Sequence, residues 1–244
     1  MSHFDVYGRM AAAGVTEVLQ NGRYVSQQKA EQSIPADVIE KLKINSRDSF
    51  LDVGCGLGLN LIPVSKIVKS VMACDHPNVI RVLKQKTMPP SIEFYEGDFL
   101  NFQTEKRFTK ILSYSVLPTL PNEEVVFAFI NKALSVVSQD GRILLGDIAN
   151  VDKKSRFTSS KRGKKFQREW DLCNSKSEAE DVTIYQKEGD TAVTFCDVLV
   201  LKMVEHIRRQ GFNAYVLNQP QNLPFGNTRE DILVVGPEYE DTDR

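Results

Sequence analysis

Residues 48–58 read DSFLDVGCGLG, an apolar run that gives way to glycines at every second position. Ser49 to Val53 has the β-favouring composition of a buried strand, and Gly54, Gly56 and Gly58 let the backbone turn sharply and approach a ligand closely. Asn60 is a good N-cap, and Leu61, Ile62, Val64 and Ile67 predict a helix behind the turn. Pro63 then falls in the first turn of that helix, where a missing amide costs least. Strand, glycine turn and helix start together make one half of a nucleotide-type site, because free backbone amides at a helix start can carry a ligand.

The spacing excludes two common nucleotide loops. A dinucleotide fingerprint starting at Gly54 and Gly56 needs a third glycine where Leu59 stands, and a phosphate loop needs a Lys followed by Ser or Thr that is missing here. Downstream, SVMAC predicts a second strand over 70–74 that ends in Asp75, which lies 23 residues beyond Asp52. That separation suits a strand, turn, helix and strand, and it places a carboxylate where it can accept from two ribose hydroxyls. Ile92 to Tyr95 predicts a third strand, followed by Gly97, Asp98 and Phe99. Gly97 and Asp98 are also simple turn formers.

The hydrophobic-Asp-hydrophobic-GxGxG pattern with a correctly spaced Asp75 resembles the class I S-adenosylmethionine-dependent methyltransferases over roughly residues 48–236. The resemblance implies an α/β, Rossmann-like three-layer sandwich with a seven-stranded, mostly parallel sheet and an antiparallel last strand. It implies S-adenosylmethionine as cofactor, with Asp52, Gly54, Cys55, Gly56, Gly58, Asp75, His76, Asp98, Phe99, Ser113 and Tyr114 about it. Asp98 would accept from the adenine amino group and Phe99 would pack on the ring. A bland reading of Cys55 is a small semi-buried filler.

The remaining strands are expected at 110–116, at 142–148 after the turn Gln139-Asp140-Gly141-Arg142, at 212–217 and at 232–235. Ser113-Tyr114-Ser115 stands where methyltransferases of amino groups on bases carry [DN]PP[YF], which counts against base N-methylation. There is no Pro-Cys dipeptide either, as cytosine C5 methylation would require. Residues 1–46 read as a helical cap in which Tyr7 and Tyr24 could meet cofactor or substrate. The domain proper is expected over 47–244, with an irregular lid or substrate-recognition insertion over 151–194. Val198, Leu201, Val204 and Ile207 predict the buried face of a late helix, which ends at Gly211.

Catalytic candidates are Asp147 near the end of the fifth strand, His206 on the late helix, and Tyr24. Lys153 to Arg168 contains eight basic residues and no acidic one, so it could face an anionic acceptor or an RNA backbone, or could be a solvated face. Phe157 and Phe166 are the two aromatic residues within that stretch, a sparse stacking platform for single-stranded nucleic acid.

The 244 residues carry a net charge of −1 and are 41% hydrophobic, which fits one substantial α/β domain and implies no strongly charged partner. Four cysteines without CxxC or metal-ligand spacing imply free thiols in a reducing compartment and no metal. With no membrane-length apolar run and no signal peptide at MSHFDVYGRM, a cytoplasmic enzyme is expected. The expected reaction is O-methylation of a small molecule, anionic or sugar-linked, as in polysaccharide biosynthesis. An RNA methyltransferase and a non-catalytic scaffold are the alternatives.

Overall fold

The computed structural model describes residues 2–89, 91–173 and 192–240. Seven strands form one sheet: β1 Ser49–Val53, β2 Ser70–Asp75, β3 Ile92–Glu96, β4 Phe108–Tyr114, β5 Val137–Ala149, β6 Asn213–Asn218 and β7 Arg229–Val235. Their order is β3-β2-β1-β4-β5-β7-β6. β1 to β5 pair in parallel, and β7 runs antiparallel to both β5 and β6. The seven-stranded Rossmann-like sheet and its reversed last strand match the expectation. Because the strand order reverses between β1 and β4, a crevice opens outside their carboxyl ends, where ligands of open α/β sheets bind.

Helices cover both faces. On one side lie α4 Ile34–Leu42, α5 Leu61–Ser65 and α6 Pro77–Leu83, around a core that includes Phe50, Val64, Ile80 and Leu144. On the other lie α7 Glu123–Val136 and α10 Asp197–Arg209, around Leu51, Ile111, Ile130, Ile143 and Met203. Alternation along β1 divides its residues between the two cores. Ahead of β1 stand α1 His3–Ala13 and the short α2 Glu17–Gln20 and α3 Gln28–Glu31. Between β5 and α10 stand α8 Val151–Ser159 and α9 Lys161–Cys173.

Three expectations are corrected. The buried stripe of α10 is Leu199, Val200, Met203, Val204 and Ile207, while Val198 and Leu201 are 61% and 63% exposed. A strict three-residue step at about 100° per residue drifts halfway round a helix over nine residues, so 198, 201, 204 and 207 cannot share one face. The stretch after β5 is regular where it is described. Asn150 N-caps α8 by accepting from the Asp152 and Lys153 amides, and α9 follows after Ser160. The part of the expected lid over 174–191 lies outside the described residues. β5 also begins earlier than expected, running through the residues read as a turn.

Candidate functional site

The crevice is a cavity of about 410 Å³. Its floor is the glycine turn and the strand ends: Val53, Gly54, Cys55, Gly56, Cys74, Asp75, Gly97, Asp98 and Phe99 line it. Its roof comes from the N-terminal segment, with Phe4 and Tyr7 of α1 and then Asn21 and Arg23. α1 rests on the start of α6, where the Phe4 and His76 rings meet at 4.9 Å.

Gly54 has φ of 75°, and a Cβ there would fall 2.3 Å from Val116 Cγ2, so only glycine lets the loop pass this close. Asp75 closes β2. Its Oδ2 accepts from the Gly56 amide at 2.8 Å and its Oδ1 from the His76 amide at 2.6 Å. Those bonds aim the carboxylate and stabilise its charge, but burial outweighs them and pushes its pKa up to about 6. Each oxygen retains a lone pair for a further donor. Asp98 caps the one-turn helix Phe99–Asn101 through Leu100 N at 2.9 Å and lines the same floor.

Not all of the expected residues reach the cavity. Asp52 is 2% exposed on the Phe50 face of β1 and does not line it; its Oδ2 has no hydrogen-bond partner among the described residues. Burial, reinforced by the charge of Asp75, pushes its pKa up to about 8. Gly58 serves packing, since a Cβ there would fall 2.8 Å from Leu83 Cδ1. His76 caps α6 by accepting from Asn78 N and lies outside the cavity lining. Ser113 is buried within β4, away from the lining. Tyr114 does line the cavity, and its hydroxyl accepts from Gln219 Nε2 at 3.1 Å.

The three catalytic candidates lie in three different places. His206 sits on α10, bonded to Asn131 of α7 at 2.6 Å and edge-on to Phe127, within the helical layer and outside both cavities described below and above. Tyr24 lines a second cavity and meets Trp170 edge-on at 5.1 Å. Asp147 is 1% exposed, in a bulge where the β5–β7 register shifts, with φ of 64°. Its Oδ2 accepts from Arg23 Nη2 at 2.6 Å and from Ser115 Oγ at 2.7 Å, and Arg229 approaches Oδ1 at 3.8 Å. Although burial opposes it, Arg23 leads the effects that hold this carboxyl below its ordinary range. So anchored, Asp147 is the counter-charge of Arg23.

Sequence reasoning missed Arg23 and Ser115, which both line the crevice and both bind Asp147. Ser115 has φ of 63°, a left-handed conformation rare outside glycine, immediately after β4. Neither residue carries a local signal, because each acts through a partner distant in the chain. Asp147 is held further by its own amide, which donates to Asp231 Oδ1 at 2.8 Å. Asp231, fully buried, in turn accepts from Lys41 and Gln219. Among the described residues no group of three His, Cys, Asp or Glu could hold a metal ion, and no helix is long and apolar enough to cross a membrane.

Residues 50–141 match a family model described as a methyltransferase domain. Among curated proteins, the 235L protein of Invertebrate iridescent virus 6, named as a candidate methyltransferase, is 26% identical over 98 residues, covering 39% of this chain and 37% of its own length. A Thermococcus kodakarensis protein named as a probable ribosomal RNA small subunit methyltransferase A is 28% identical over 95 residues, covering 38% of this chain and 33% of that protein. The chain thus spans about a third of the length of these curated relatives. Among solved structures, the N-methyltransferase NodS from Bradyrhizobium japonicum WM9 in complex with S-adenosyl-L-homocysteine superposes with a TM-score of 0.63 at 13% identity, over 98% of this chain and 100% of that one. At that identity the likeness speaks for the fold. The fold is thus the seven-stranded Rossmann-like sheet of that structure, and residues 50–141 within it match a methyltransferase domain.

Proposed function

We propose that the chain transfers a methyl group from S-adenosylmethionine to a hydroxyl oxygen of a small-molecule acceptor. The observation that carries the reading is Asp75, a strand-end carboxylate fixed by two backbone amides, facing an enclosed cavity, with no ion-pair partner among the described residues. The residues present fit the cofactor. Gly54 and Gly56 leave bare backbone for its methionine portion, Asp75 accepts from the ribose hydroxyls, and Asp98 accepts from the adenine amine. The carboxylates Asp75 and Asp98 also suit a ligand that carries positive charge. When bound, the cofactor supplies an electrophilic methyl group on a sulfonium; the protein's part is then alignment of the nucleophile and exclusion of water. α1 and Arg23 roof the cavity and take on the exclusion, while the helical cap of 1–46 and the insertion from 151 frame the acceptor.

Calorimetry with S-adenosylmethionine and its demethylated product tests this directly. Micromolar binding of both that is abolished in Asp75→Ala is expected, and absence of binding by the parent chain sinks the reading and leaves a scaffold. An RNA acceptor is the second reading, favoured by the exposed Lys154, Lys161, Lys164 and Arg168 and by the name of the T. kodakarensis relative. Against it, Lys153 is bonded to Asn218, Arg156 to Asp197 and Arg162 to Asn227, which removes three of the eight basic groups from the free surface. RNA affinity that barely changes between about 50 and 200 mM salt would rule that reading out.

A further inference from the structure

One short loop walls two cavities. Asn21 and Arg23 line the crevice above β1, while Gly22 and Tyr24 line a second cavity of about 740 Å³ on the other side. Its remaining walls are α8, α9 and the loop from Gln221 to Thr228. Neither insertion helix is built into the core: α8 buries no residue and α9 buries Gly163 alone. Their apolar residues line the cavity instead.

That lining is aromatic. Tyr24, Phe157, Phe166, Trp170 and Phe225 all contribute. Trp170 lies edge-on to Tyr24, nearly parallel to Phe166 with centroids 6.0 Å apart, and tilted against Phe225 at 5.7 Å. Phe166 remains 37% exposed. Rings held by one another but open on one side present flat apolar faces to whatever enters, the lining that specific ligand cavities share.

The same wall carries positive charge. Arg23 and Arg229 lie over the Phe225 ring at 5.5 and 5.1 Å, and both lean on the single carboxylate of Asp147. Arg23 holds that carboxylate at 2.6 Å, so Arg229, at 3.8 Å, keeps guanidinium N–H groups for another acceptor. Arg229 and Lys154 line the cavity, and the one acidic lining residue among the described residues, Glu169, is paired with Lys165 at 3.8 Å. A planar guanidinium beside aromatic faces is suited to a carboxylate or phosphate attached to a flat ring.

We propose that this second cavity holds the methyl acceptor, its hydroxyl turned to the edge where Arg23 of the crevice meets Phe225 of the second cavity, and that the acceptor is a flat unsaturated ring bearing an acidic group, its ring against Trp170 and Phe225 and its acid at Arg229. The proposal rests on the methyltransferase reading and narrows it. Two kinds of molecule share this chemistry, an aromatic acid and a nucleotide portion of a larger acceptor. A hydroxyl on an aromatic ring ionises more readily than one on a sugar, which suits a site whose buried Asp147 is committed to Arg23.

Trp170 is the single tryptophan of the chain, so its fluorescence reports on this cavity. The full chain, saturated with S-adenosylhomocysteine, is titrated with 4-hydroxybenzoate, the neutral isostere 4-hydroxybenzamide, UMP, and glucose 1-phosphate, an anion without a flat ring. Quenching by 4-hydroxybenzoate or UMP is expected at concentrations at least about tenfold lower than for the other two, as one charge-assisted hydrogen bond implies. Which of the pair binds tells the aromatic acid from the nucleotide. Arg229→Gln and, independently, Lys154→Ala should shrink that preference while S-adenosylhomocysteine still binds in calorimetry. Equal binding of the benzamide, equal binding of glucose 1-phosphate, or no quenching by any probe overturns the proposal. If S-adenosylhomocysteine itself fails to bind, the methyltransferase reading falls first, whatever Trp170 reports.

Discussion

The carboxyl ends of β2 and β5 each carry a buried aspartate, and the two are treated in opposite ways. Asp147 at the end of β5 is given two guanidiniums, a serine hydroxyl and its own amide bond to Asp231. Asp75 at the end of β2 is given two backbone amides and no cation, and Asp52 beneath it lacks a partner for one oxygen. Burial therefore raises the carboxyls of Asp75 and Asp52, while paired charge lowers that of Asp147. Buried charge held by cations is an anchor; buried charge left without one is a place where binding a donor or a cation gains most.

The contrast is broken most severely at Arg23. Arg23→Met should leave Asp147 with only the more distant Arg229 and lower the urea-unfolding free energy by about 3 kcal/mol, within the range for removing one partner of a buried pair. A loss under about 1 kcal/mol would show that Arg229 or water replaces the guanidinium. Asp75→Ala should do the reverse. Removing a carboxylate that burial disfavours should leave the stability of the free protein unchanged or raised, while affinity for S-adenosylhomocysteine falls by at least about thirtyfold, the loss of charge-assisted bonds worth roughly 2 kcal/mol.

A smaller effect follows from protonation. Below about pH 6 Asp75 takes up a proton in the free protein, so S-adenosylhomocysteine affinity should weaken by up to about tenfold per pH unit on acidification, and Asp75→Asn should flatten that dependence. Asp52 gives a test through the pH dependence of stability. Its native carboxyl keeps a proton to about pH 8, whereas the unfolded chain releases it near pH 4, so between these values the native state binds more protons. Stability should fall as pH rises across that window, by at most about 1.4 kcal/mol per unit, and level off above it. Asp52→Asn should remove the slope in urea titrations at pH 5 and 8. Asp147 has the opposite sign: its contribution is present above about pH 4 and is lost as pH falls through its lower native value.

The β2 end could be read in the sequence because its parts are near one another in the chain. Glycine spacing and the distance from Asp52 to Asp75 are local facts, and the Gly56–Asp75 bond joins residues 19 apart. The β5 end could not, because Arg23 reaches Ser115 across 92 residues and Asp147 across 124. Nothing around Arg23 says which strand end it will meet. Asp147 drew notice for its place near a strand end, which suits a base or a salt bridge; its surroundings supply the pair with Arg23. The insertion was hidden differently. Its apolar residues, Phe157, Phe166 and Trp170, are too few to give α8 and α9 a core-facing stripe, so a stretch that is helical reads as irregular. In α10 the apolar residues were plentiful, and an incorrect step along the helix chose the wrong ones.

The loop between the cavities has one more consequence. From Asn21 to Tyr24 its residues alternate between the two chambers, with a period of two. A partition this thin joins its two sides: a change that draws Arg23 off Asp147 also moves Tyr24 against Trp170. The shapes of the two chambers are therefore set together, by four residues of one turn.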